Sequence, residues 1–258
     1  MLRPRIIPCL LVKGAGLVKT RQFADPKYVG DPLNAVRIFN EKEVDELTVL
    51  DIDATTEKRE PNYTMIRNLA GECRMPLCYG GGVSSPEQIE KIITLGVEKV
   101  AISAAAVETP ELIAEGARRV GSQSIVVVLD VKKSGLLRRQ EVFTRNGTRK
   151  TGLNPVDFAR RAQDMGAGEI VVNAIERDGM MGGYDLDLVR EIRGAVSLPL
   201  TVLGGAGSYD DLATLIREFG IIGASAGSLF VFKGKYRAVL ISYPNAAEKA
   251  ELLGAPAN

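Results

Sequence analysis

The sequence predicts a closed α/β (β/α)₈ TIM barrel with a two-fold half-barrel repeat. Apolar runs of strand length alternate eight times with amphipathic helical patterns along 258 residues. The run Ser124-Ile-Val-Val-Val-Leu-Asp130-Val-Lys132 has a near-copy in Arg5-Ile-Ile-Pro-Cys-Leu-Leu11-Val-Lys13, at an offset of 119 residues (11 to 130). Glu46-Leu-Thr-Val-Leu-Asp51 resembles Glu169-Ile-Val-Val-Asn173, and Pro76-Leu-Cys-Tyr-Gly80-Gly81-Gly82 resembles Pro199-Leu-Thr-Val-Leu-Gly204-Gly205, both at an offset of 123 (46 to 169, 76 to 199). Four strands per half make eight. An open doubly wound sheet does not divide naturally in this way. The expectation is one barrel domain, residues 1–258, with half-barrels at about 1–120 and 121–258.

Strands are expected at about 5–12, 46–52, 76–79, 98–103, 124–130, 169–174, 199–203 and 219–225, because each is a short apolar run such as a strand buried on both faces requires. Helices are expected between them at about 31–42, 60–71, 86–95, 109–119, 154–165, 185–194, 208–218 and 235–253. Pro and Asp stand where several should begin, as in Pro86-Glu-Gln, Thr109-Pro110-Glu and Asn154-Pro155-Val-Asp.

Lys+Arg 33 against Asp+Glu 32 leaves a net charge of +1, which points to neither a nucleic-acid nor an anionic-membrane partner. No apolar run approaches a bilayer span and the N-terminus reads as a strand, so the expected location is cytoplasmic. The three cysteines, Cys9, Cys73 and Cys78, lack metal-ligand spacing and read as small buried hydrophobes. No metal or cofactor site is expected. Absence of histidine excludes Ser-His or Cys-His catalysis and every His metal site.

Two connections exceed ordinary strand-to-helix lengths. Residues 13–30 combine flexible glycines with Lys13, Lys19 and Arg21 and read either as a lid over the barrel mouth or as a solvated basic loop. Residues 131–151 contain Asn146-Gly147 between alternating polar and apolar residues, the signal of a small hairpin on that same face. Glycine-rich turns follow four strands: Gly80-Gly81-Gly82, Asp178-Gly179, Gly204-Gly205-Ala206-Gly207 and Ala224-Ser225-Ala226-Gly227-Ser228. Small residues let backbone N–H groups approach a phosphate, and the last two turns occupy the usual phosphate place of such barrels. Tight turning alone would explain one of them. Two in repeat-related places suggest a ligand with a phosphate at each end.

Charges stand where strands begin, at Arg5, Glu46, Lys99 and Glu169. They read either as an ion-pair ring satisfying polar groups at the barrel floor or as a gate for a small molecule.

Arg5-Ile-Ile-Pro-Cys-Leu, Val18-Lys19, Gly30-Asp31-Pro32, Leu50-Asp51-Ile, Gly80-Gly81-Gly82-Val, Gly166-Ala-Gly-Glu169, Arg177-Asp178-Gly179, Gly183-Tyr-Asp185 and Gly204-Gly-Ala-Gly207 together resemble the cyclase subunit of imidazole glycerol phosphate synthase over essentially the whole chain. The resemblance implies a glutaminase partner docked at the floor, ammonia passing the Arg5, Glu46, Lys99 and Glu169 gate, and chemistry at the far end on a bis-phosphorylated substrate. It also implies a ligand shell of Lys19, Gly81, Gly82, Ser103, Asn173, Asp178, Gly179, Gly204, Gly205, Ala206, Ala224 and Ser225 around the acid/base residue Asp130.

Departures fall at the reacting centre. That family pairs two aspartates; Asp130 matches one, and Leu11 takes the place of the other. Ser103-Ala104 stands where the family has Asn-Thr, Asn173 where it has Thr, and Leu203 where it has Ser. Leucine can neither give nor take a proton. Leu10-Leu11-Val12-Lys13, Asp25-Pro26-Lys27-Tyr28-Val29-Gly30 and Ile241-Ser-Tyr-Pro-Asn look more like paralogues associated with surface-polysaccharide genes, which resemble partners of a sugar amidotransferase. The expected function is therefore an ammonia-using synthase subunit of a glutamine amidotransferase complex, supporting acetamidino-sugar formation with a glutaminase and a third protein. A true cyclase of histidine biosynthesis and a non-catalytic ammonia conduit that activates the glutaminase are the alternatives.

Overall fold

A computed structural model describes residues 3–254. In chain order it contains β1 (Arg5–Lys13), β2 (Gly16–Arg21), β3 (Ala24–Gly30), α1 (Pro32–Glu41), β4 (Leu47–Asp51), α2 (Tyr63–Glu72), β5 (Leu77–Gly80), α3 (Pro86–Thr94), β6 (Lys99–Ile102), α4 (Ala104–Glu108) and α5 (Glu111–Val120). Next come β7 (Ile125–Ser134), β8 (Arg139–Thr144), β9 (Arg149–Lys150), α6 (Pro155–Asp164), β10 (Glu169–Ala174), α7 (Leu186–Arg193), β11 (Leu200–Leu203) and α8 (Tyr209–Phe219). The chain ends with β12 (Gly223–Ala226), α9 (Ser228–Val231), β13 (Phe232–Lys233), β14 (Ala238–Val239) and α10 (Ala246–Leu252).

Eight parallel staves close on themselves in the order β1, β4, β5, β6, β7, β10, β11, β12, and β12 pairs β1. The closed (β/α)₈ barrel follows. Apolar side chains on both faces of the staves permit it: the outer set, including Ile6, Leu10, Val49, Ile102 and Ile170, packs under the helices. Cys78, Ala101, Val126 and Val128 form a separate small cluster, flanked by Leu50 and Val171.

Helices begin where chain chemistry directs. Asp31, Ser85 and Asn154 each cap a helix N-terminus by accepting a backbone N–H, and each is followed by proline at the first helical position.

Two expectations need correction. Residues 13–30 are not a loop: β2 and β3 extend β1 as an antiparallel ribbon, with Leu11 opposite Val18, and Lys19 and Thr20 are buried rather than solvated. The helix expected over 235–253 begins only at Ala246. Before it, β13 and β14 form a small hairpin, and the N–H groups of Leu240 and Ser242 donate to the carbonyls of Val231 and Phe230, which commits them away from a helical ladder. Pro244 precedes the Asn245 capping box that starts α10. The hairpin expected within 131–151 is present: β8 pairs β7, and Arg145, Asn146 and Gly147 turn the chain into β9 with positive φ.

Candidate active site

A cavity of about 1240 Å³, counting the part open to solvent, lies at the C-terminal ends of the staves. Asp130, Lys19, Gly81, Gly82, Ser103, Asn173, Asp178, Gly179, Gly204, Gly205 and Ala206 line it, with Leu11 and Leu203. Ala224 and Ser225 do not. Both are buried inside β12, where Ser225 donates its hydroxyl to the Ile7 carbonyl at 3.0 Å, and the wall is formed instead by Ala226, Gly227 and Ser228. The glycine-rich signal was there, displaced by two residues because β12 starts later than its apolar run.

Asp130 ends the buried run of β7 beside Asn173 of β10. Ser103 donates its hydroxyl to Asp130 Oδ2 at 3.1 Å, and Asn173 Nδ2 donates to Oδ1 at 2.9 Å. Burial pushes the carboxyl up to about 6, with repulsion from Asp178 in the same direction, although the two hydrogen bonds pull it down. A carboxyl in that range can exchange a proton near neutrality. Asn173 Oδ1 is itself buried without a donor.

On β1 the matching position is Leu11, flanked by Leu50 of β4 and Val18 of β2. Two further carboxylates reach the cavity wall. Asp51 is buried and committed: Oδ1 accepts the N–H groups of Asp53 (3.2 Å) and Ala54 (3.1 Å), and Arg59 lies 3.4 Å from Oδ2. Asp178 Oδ2 accepts the Thr20 hydroxyl at 2.7 Å and the Phe23 N–H at 3.3 Å; burial raises its pKa against those bonds and the nearby Lys19.

Lys19 comes from β2 and buries its ammonium against the Cys9 carbonyl, 2.5 Å away. Burial lowers its pKa, with Cys9 and Asp178 opposing. A Cβ at Gly227 would come within 2.7 Å of that nitrogen, so glycine is what lets the ammonium reach the cavity wall. Gly81 and Gly205 have φ of 115° and 118°, and a Cβ would collide with the backbone of Asp51 and Gly183 respectively. Their glycine requirement is met by chain packing alone, and beside them α4 and α9 begin. Neither helix has a side-chain cap.

Sequence reasoning gave no site role to Thr20, Asp51 or Asn146, all of which line the cavity, and named Gly227 and Ser228 in the glycine-rich turn after the last strand without carrying them into the ligand shell. Thr20 sat beside Lys19 in what read as a loop. Asn146 was read only as a turn former, yet its Nδ2 also donates to the Ile52 carbonyl at 2.8 Å, tying the β8–β9 turn to the far side of the mouth.

At the opposite end, Arg5, Glu46, Lys99 and Glu169 form a closed ring. Arg5 pairs with Glu46 and, at 2.7 Å, with Glu169; Lys99 Nζ lies 2.8 Å from both Glu46 Oε2 and Glu169 Oε2. Thr201 donates its hydroxyl to Glu169 Oε1 at 2.6 Å. Burial works against charge on Arg5 and Lys99, yet the two glutamates hold both pKa values above the ordinary ones. In return those cations hold Glu169 below the usual carboxylate range despite its burial.

The chain matches the family model "Histidine biosynthesis protein" over residues 5–237. It is 56% identical over 252 residues to "Putative imidazole glycerol phosphate synthase subunit HisF" of Leptospira interrogans, covering 98% of this chain and 99% of that one. Identity is 56% over 253 residues with the subunit hisF3 so named in Vibrio vulnificus (98% and 97% covered). With hisF2 of Pseudomonas aeruginosa it is 53% over 245 residues (95% and 97% covered). The chain therefore belongs to the histidine biosynthesis protein family, among its HisF-like members.

Proposed function

We propose that this chain is the ammonia-handling synthase subunit of a glutamine amidotransferase complex, working in surface-polysaccharide synthesis where an acetamido group becomes an acetamidino group. The observation that carries it is the unequal mouth: one poised carboxyl, Asp130, faces a wall in which Leu11 and Leu203 stand. A reaction needing two proton carriers in opposition loses one of them there; a single proton transfer does not.

In this reading a glutaminase docks at the floor, and ammonia enters past the ring of Arg5, Glu46, Lys99 and Glu169. The small apolar cluster of Cys78, Ala101, Val126 and Val128 favours neutral ammonia over ammonium, since an unpaired charge is costly in such surroundings. Asp130, held by Ser103 and Asn173, takes up or returns the proton when the nitrogen reaches the mouth. A phosphorylated ligand lies across the glycine turns with Lys19 near one end.

A second reading has one observation in its favour: Asp178 also lines the cavity with a raised pKa and could replace the missing acid of a true imidazole glycerol phosphate cyclase. The separating experiment supplies the purified protein with ammonium and the bis-phosphorylated cyclase substrate. Our reading expects no useful formation of imidazole glycerol phosphate. Formation near the rate of a genuine cyclase, abolished by Asp178→Asn, would establish the second reading instead.

A further inference from the structure

The net charge of +1 is the sum of two opposed regions. Residues 13–30, 131–151 and 232–240 hold 14 of the 33 Lys and Arg and only 2 of the 32 Asp and Glu, so the rest of the chain is net acidic. All three segments follow staves β1, β7 and β12 at the mouth, on one arc of the barrel. Lys19 is buried and Arg145 and Arg149 pair with Glu108, which leaves the free excess toward the hairpin tips.

Two of those tips are built alike. Gly135-Leu136-Leu137-Arg138 and Gly234-Lys235-Tyr236-Arg237 each close by an N–H of the arginine donating to the glycine carbonyl, at 3.1 and 3.0 Å. Glycine and arginine have positive φ in both. Each apex carries apolar bulk in full solvent: Leu136 is 101% and Tyr236 91% exposed. Cations stand just behind: Lys132, Lys133, Arg138 and Arg139 at one tip, Lys233, Lys235 and Arg237 at the other. Both grip the connection after β10, through Arg138 to Glu176 (3.2 Å) and Arg237 to the Gly179 carbonyl (3.1 Å), and the next residue along that connection, Met180, is exposed. On the other arc, the loops after β4 and β6 carry Asp53, Glu57, Glu60 and Glu108 beside Lys58 and Arg59, with Asp53, Glu57 and Glu108 already paired to cations, and no exposed large apolar residue.

Apolar apices outermost with a collar of cations behind is the layering of a bilayer met from outside, an anionic headgroup zone over hydrocarbon. A protein partner would ask for a continuous mixed patch, and steering of a small anion would explain the cations but not the leucines. We propose that this arc of the mouth rim docks the protein on an anionic lipid surface, inserting Leu136, Leu137 and Tyr236 and leaving the opposite arc, which carries no exposed large apolar residue, open for entry. The inference does not depend on which acceptor receives ammonia.

The test is sedimentation of the full chain with vesicles of phosphatidylcholine alone or mixed with phosphatidylglycerol. Binding is expected only to the mixed vesicles, falling with salt. Leu136→Ser with Leu137→Ser is expected to weaken it by roughly tenfold or more, since both side chains lose their burial in hydrocarbon, and these exposed positions leave folding intact. No binding to phosphatidylglycerol vesicles at low salt, or binding that the double variant retains in full, would overturn the proposal.

Discussion

The ends of β1 and β7 show how little of a site the backbone determines. Both strands carry a Val-Lys step just past the decisive position, both run on into an antiparallel hairpin at the mouth, and both line the same cavity. At the decisive position one offers Leu11 beside Leu50, the other Asp130 beside Asn173 and Ser103. The scaffold is shared and the chemistry is not. The floor makes the opposite choice: Glu46 and Glu169 occupy matching places before β4 and at the start of β10, and both carboxylates are kept and tied by Arg5 and Lys99. A symmetric floor under an asymmetric mouth suits delivery of a small molecule to one working group.

The largest expected effect comes from breaking the symmetric end. Lys99→Ala leaves Glu46 and Glu169 with one cation between them, at a cost of about 3–5 kcal/mol for a buried pair. The expected outcomes are a lower midpoint in urea and, with a glutaminase bound, glutamine hydrolysis no longer matched by ammonia use. Unchanged coupling would remove the gate from the account.

Next in size is the asymmetric end. Asp130 is pushed from 3.8 up to about 6, so the folded protein keeps a proton that the unfolded chain has already released. Its contribution is therefore most favourable below about pH 4 and is lost as pH rises toward 6, by up to roughly 3 kcal/mol. Asp130→Asn should gain stability relative to the unmodified protein across that interval, in denaturant titrations at each pH. A pH-independent difference would mean that Asp130 is ionised like any surface aspartate.

A smaller shift sharpens the same point. Ser103→Ala removes one of the two donors that favour the ionised form, and the Asp130 carboxyl, followed by NMR titration, should move up by about one unit. A downward move would show that Ser103 does not donate to it.

Much of this was legible in the sequence, for physical reasons. Strands buried on both faces write themselves as continuous apolar runs, and the repeated Val-Lys and Gly-Gly steps mark the mouth. The floor ring was readable because its charges interrupt apolar strands at their starts. Lys19 was found but misplaced in character, since glycines at 14 and 16 suggested a flexible loop where the chain makes a ribbon. The segment 235–253 misled through its helical ending: Ala246-Ala-Glu-Lys-Ala-Glu-Leu252 is a helix, whereas Tyr243 before it is held by its hydroxyl to the Ile6 carbonyl at 2.9 Å, a contact 237 residues away in sequence. Thr20 joined the cavity through such a distant pairing, its hydroxyl on Asp178, 158 residues away, which no local pattern encodes.

The measurement that bears most directly on the unequal mouth is turnover of the bis-phosphorylated cyclase substrate with ammonium, by the unmodified protein beside Leu11→Asp. A positioned acid or base typically contributes about 10²–10⁴-fold. The account predicts negligible turnover with Leu11 and a gain within that range with Leu11→Asp, because the rest of the cavity is already formed. Turnover by the unmodified protein that Leu11→Asp fails to raise would contradict it.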